Sequence, residues 1–288
     1  MLIDELLGKP LTRMQPSGDG KNKVCTDLAE TLNTLSSHPF EQIGSFTLDS
    51  HGSMHIGPIA GDRTGHCRPL DRFPMLLTIS RIGQKNNPRL ISDHQLFTEY
   101  SVNAYLIFKH LHKLAIQGKF NEFEISLDHG PFYLKHMDDK GDHIFVDENF
   151  NISGIIDWSV ARIAPAYEVF SPSLVTADMN DILSGNLRTS PDDKLLAQAL
   201  RTNGNCLGHF ANSRGRVRFL TFAVGMGMNL TWAEALCVFR GIITEFCGSP
   251  NDFDWETWRR DRLSEWADDE RLNVLSRKEA IIQPNPEK

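Results

Sequence analysis

The 288-residue sequence has no cysteine pair in CxxC spacing, no long basic run and no apolar stretch long enough to cross a bilayer. Each absence removes a class of function. The five cysteines, at 25, 67, 206, 237 and 247, are too dispersed for a zinc ribbon or a dithiol redox motif. They read instead as reduced thiols packed in a core. A net charge of −7 with scattered Lys and Arg argues against a nucleic-acid partner, because phosphate binding needs a basic face. The most apolar stretch, FLTFAVGMGM at 219–228, is about half the roughly 20 residues that a membrane helix requires. Asp4 and Glu5 stand where a secretory signal would carry basic and then apolar residues, so the expected location is the cytoplasm, with no membrane partner.

What is present is the composition of a globular chain, 40% hydrophobic and 23% charged, with no internal repeat. LIDEL (2–6) reads as a short strand. Val24, Leu28, Leu32 and Leu35 recur at helical spacing within 22–36, and His38-Pro39 stops that helix. GSFTLDSHGSMHIGPI (44–59) reads as two strands around the turn DSHG. A capping box, Ser92 to Gln95, opens a long helix whose stripe is Phe97, Tyr100, Ala104, Ile107, Leu111 and Leu114. From 190 onward the pattern is helical. Ser190-Pro191 starts one helix, the capping box TWAE (231–234) another, and 252–270 a third, amphipathic one anchored by Trp255, Trp258, Leu263 and Trp266.

The densest chemistry lies in LKHMDDKGDHIFVDENFNISGIIDW (134–158), which carries six acidic side chains. IFV and ISGII form two strands of a hairpin around ENFN. In an antiparallel hairpin the residue before the first strand and the residue after the second meet at the open end. His143 and Asp157 are therefore expected to be neighbours, with the loop from His136 through Asp138 to Asp142 approaching them. So much carboxylate at one point needs solvent, protons or a bridging cation, and hard oxygen ligands suit Mg²⁺. The alternative is a solvated turn whose Asp residues only cap it. Against that, Asp157 sits between an apolar run and Trp158.

HMDDKGDHIFVD (136–147) followed by IIDW (155–158) resembles the aminoglycoside phosphotransferase family, part of the wider protein-kinase-like fold. The family pattern is H-G-D-x-x-x-x-N, then an apolar hairpin ending in I-D-W or I-D-F. The wording is similar to a branch abundant in filamentous fungi. The resemblance implies a mainly α fold with small β hairpins (α+β), the large lobe of a kinase-like protein, over residues 1–275, with 276–288 as a disordered tail. It implies that Asp138 accepts the proton of a small-molecule hydroxyl, that His136 braces the loop, and that Asp157 holds Mg²⁺ on the phosphates of ATP. The segment around Asp4 and Leu6 takes the place of the stretch whose backbone meets the adenine.

Two departures shape the expectation. The family's metal-ligating Asn is His143 here, with Asp142 beside it as a substitute ligand. No GxGxxG or V-A-I-K-like strand occurs, and the chain is expected to begin at the hinge without the small lobe. Three functions follow. The first is a phosphotransferase dependent on ATP and Mg²⁺ in a complete form. The second is a catalytically silent, pseudokinase-like binding module, with a protein partner over the exposed surface. The third is a metal-dependent hydrolase built on His136, Asp138, His143 and Asp157.

Overall fold

A computed structural model describes residues 6–57, 100–120, 131–138, 140–202, 208–213, 215–223, 230–248 and 253–282. The fold is mixed α and β, with small antiparallel sheets among helices. The strand expected at 2–6 and the capping box at Ser92 lie outside the described residues, apart from Leu6. The chain divides into two compact units. One draws on Met1–Arg72, Ile125–Met179 and Leu187–Phe219, the other on Phe73–Glu124, Asn180–Asn186 and Leu220–Lys288.

The first unit begins with strand β1 (Lys9–Pro10), a helical turn at Leu11–Met14 and helix α1 (Asp19–Ser36). Helix α1 starts three residues earlier than its apolar spacing indicates, because Pro16-Ser17-Gly18 breaks the chain and Asp19 complements the positive end of the helix dipole. Hairpin β2 (Ser45–Leu48) and β3 (Met54–Gly57) follows as expected, in register from Ser45–Gly57 to Leu48–Met54. After helix α2 (Ser101–Ile116) come β4 (Phe132–Lys135), the acidic hairpin β5 (Ile144–Val146) and β6 (Ile152–Ile155), and β7 (Arg162–Pro165). Strands β1, β5 and β6 form one sheet, while β4 pairs with β7. Helix α3 (Pro191–Thr202) packs on α1, and Leu28, Ala29, Leu196, Ala197 and Leu200 are buried together there. Leu11, Val24, Ile144 and Val146 form a second cluster beneath the hairpin.

The β4–β7 ribbon was not foreseen. Lys135 and Arg162 are paired in register and both are buried, which no apolar pattern announces. Glu168, only 2% exposed, makes this tolerable. Its carboxylate takes the Arg162 guanidinium, and its backbone oxygen accepts from Lys135 Nζ at 2.8 Å.

In the second unit α2 packs with α4 (Trp232–Cys247), α5 (Trp255–Glu265) and α6 (Glu270–Ile282). The Thr231–Glu234 capping box is present in full. The single helix expected over 252–270 is divided. Asp254 caps α5, and Asp269 accepts from the backbone N–H groups of Arg271 and Leu272 to start α6. Helix α6 runs to Ile282, so regular structure continues past the expected tail boundary at 275. Among the described residues, no helix is long and apolar enough to cross a membrane.

Candidate functional site

The open end of the β5–β6 hairpin is set by its closed end. Asp147 accepts from the backbone N–H of Asn149 at 2.8 Å and of Asn151 at 2.9 Å, which shapes the turn and fixes the register. Its side-chain bond from Asn151 leads the interactions that hold the Asp147 carboxyl below the ordinary aspartate range. Asp27 on α1 accepts from Ile152 N at 2.9 Å and ties the hairpin to the helix. Asp147 and Glu148 therefore belong to the turn, and the functional candidates gather at the other end.

There the structure brings His143 and Asp157 together, with Nε2 to Oδ2 at 3.8 Å, as hairpin geometry predicts. His143 Nδ1 donates to the backbone oxygen of Asp138 at 3.2 Å, so its other nitrogen carries the lone pair that faces Asp157 in the neutral ring. Asp138, Asp142 and His143 can present one ligand atom each within 4.8 Å of one another. Lys140 stands among them, 3.1 Å from Asp138 Oδ1 and 3.5 Å from Asp142 Oδ2. Its bond to Asp138 is the main reason its ammonium is held above the usual lysine range. The negative charge thus has a resident counter-cation.

His136 Nε2 donates to the carbonyl of Ile156 at 2.8 Å, bracing the loop against the strand that leads into Asp157. Its ring meets Trp158 edge-on at 4.8 Å, and Trp158 Nε1 donates to Ile155 O at 2.8 Å. Gly141 has φ +92°, a conformation glycine adopts at little cost, and it lets the loop turn back toward His143. Asp157 itself is left-handed, with φ 60° and ψ 56°, unusual for a non-glycine residue. Ser159 Oγ donates to its Oδ1 at 2.5 Å. That bond is the leading cause of the lowered Asp157 pKa, with His143 adding to it. Ser159 was missed at sequence level, although a hydroxyl two residues after an Asp is a recurring local hydrogen-bond pattern.

Asp4 lies outside the described residues, as does Asp139. Leu6 lies over Gly154, midway along β6. A mixed set of imidazole nitrogen and carboxylate oxygens suits a divalent cation, with His143 Nε2 and Asp157 as the pair already facing each other. No family model, curated protein or solved structure matches this chain.

Proposed function

We propose that the open end of the β5–β6 hairpin is a phosphoryl-transfer site in the large lobe of a kinase-like fold. The substrates would be ATP and a small-molecule hydroxyl. The observation that carries this proposal is the convergence of Asp138, His143 and Asp157 from either side of one hairpin, with Asp157 held in a left-handed conformation. Asp138 orients the acceptor hydroxyl and takes its proton, while Lys140, 3.1 Å from Asp138 Oδ1, holds that side chain in place. His136 acts through the backbone of Ile156 and positions the loop. Asp157 and the free nitrogen of His143 would hold Mg²⁺ or another divalent ion, with Asp142 in reserve. Such an ion supplies neutralisation of phosphate charge.

The test is thermal stability of the full chain with and without Mg²⁺-ATP, wild type against Asp157→Asn. Asn tolerates the left-handed conformation, so this variant removes charge rather than backbone geometry. A melting temperature raised by Mg²⁺-ATP in the wild type and unmoved in the variant is the expected result. No shift in either would leave the silent binding module. The Asp138, Asp142 and His143 cluster favours one second possibility, the metal-dependent hydrolase. Stabilisation by Zn²⁺ or Mn²⁺ without nucleotide, together with phosphodiester turnover, would decide for it.

A further inference from the structure

Two cavities of very different size adjoin the Asp138 loop. The one that includes Asp138, His136 and His143 in its lining holds about 70 Å³, well below the roughly 300–1,000 Å³ typical of small-molecule sites. It is too small for a substrate. The second holds about 340 Å³, within the range of roughly 300–1,000 Å³ typical of small-molecule sites. Its floor is apolar, formed by Leu11, Val24, Leu28 and Val175, and its rim carries Thr12 and Gln15. The Cys25 thiol in its wall is pushed up to about 11, chiefly by burial, so it stays a neutral, unreactive wall group. Lys140 and Gly141 close one side, and the Lys140 ammonium touches the Asp138 carboxylate at 3.1 Å. A hydroxyl at that wall lies one side chain from the proposed proton acceptor.

The charges of this cavity are already matched. Lys21 Nζ donates to both oxygens of Asp192, at 3.1 and 2.7 Å. Lys140 is shared between Asp138 and Asp142. A charged ligand would have to break one of these pairs, and a polycation would find its one lining carboxylate, Asp192, engaged. An apolar floor with a hydroxyl and amide rim instead favours burial of hydrocarbon beside neutral hydrogen-bonding groups.

We infer that this cavity is the acceptor site and that it takes an uncharged hydroxyl compound with an apolar body, not a polyamine. The inference rests on the phosphoryl-transfer proposal, but its test needs no nucleotide. Saturation-transfer NMR on the full chain would use hexyl β-glucoside as the neutral probe and kanamycin as the polycation. Transfer to the glucoside is expected in the wild type and none to the polycation. Thr12→Trp, at an exposed rim position, should fill the cavity and weaken the glucoside by about tenfold or more. Lys21→Met leaves Asp192 unpaired and should improve binding of hexylamine by about tenfold. No transfer to the glucoside in folded wild type would overturn the inference. So would transfer undiminished by Thr12→Trp, or displacement of the glucoside by kanamycin. Failure of the phosphoryl-transfer proposal would appear separately, as absent Mg²⁺-ATP stabilisation.

Discussion

Asp157 combines two demands that ordinarily conflict. Its carboxylate must face His143, and its backbone must adopt φ 60°, which strains a β-carbon against its own carbonyl. A position chosen for folding alone would carry glycine. Asp157→Gly is therefore expected to be more stable than Asp157→Ala by about 1 kcal/mol, because both lose the Ser159 bond and only glycine escapes the strain. Both should lose Mg²⁺-ATP stabilisation alike. Urea unfolding of the two variants checks this, and equal midpoints would mean that the left-handed backbone imposes no cost. His143 shows the same economy of placement. One ring nitrogen anchors Asp138 through its carbonyl, and the other remains free to face Asp157.

At the level of elements, the ribbon of β4 and β7 rests on Glu168. Lys135 and Arg162 are buried side by side, and Glu168 is the acidic group that answers Arg162. Glu168→Gln would leave a desolvated guanidinium, and removing one partner of such a pair costs about 3–5 kcal/mol. The expected outcome is a large drop in urea midpoint, while the chain that survives keeps the Lys135 bond to the Glu168 backbone. A loss below about 1 kcal/mol, the scale of exposed ion pairs, would show that water reaches the site. The same residues explain what the sequence concealed. Hairpin β5–β6 was legible from its two apolar runs and the turn residues between them, and with it the meeting of His143 and Asp157. The β4–β7 ribbon was not, since Lys135 and Arg162 look like surface residues until Glu168, distant from Lys135 in sequence, pairs its carboxylate with Arg162 and its backbone oxygen with Lys135. Nor was the break between α5 and α6 visible, because Trp266 continues the apolar spacing while Asp269, an ordinary charged residue by type, caps a new helix.

At the level of the whole molecule, the two units should respond to acid at different pH. His110 on α2 meets Phe239 and Trp258 edge-on, and its Nδ1 is buried without a partner among the described residues. Burial, reinforced by Arg262 and Lys113 and opposed by Glu265, lowers its pKa from 6.5 to about 4. His112 on the same helix is lowered too, by burial. As pH falls below 6.5 the unfolded chain takes up protons that the folded unit refuses, so stability is lost progressively down to about pH 4, by no more than about 3 kcal/mol for His110. In the first unit, Asp147 and Asp157 have lowered pKa values, held down chiefly by Asn151 and Ser159. Their contribution is intact above the ordinary aspartate value of 3.8 and is lost only as pH falls below it. Hydrogen exchange, expressed as protection factors at pH 7 and pH 5, should therefore show α2 and α4 losing protection while α1, β5 and β6 hold theirs. His110→Phe should remove most of that difference. Protection lost equally in both units, or first around the acidic hairpin, would place the acid-sensitive groups at the candidate site instead of on α2.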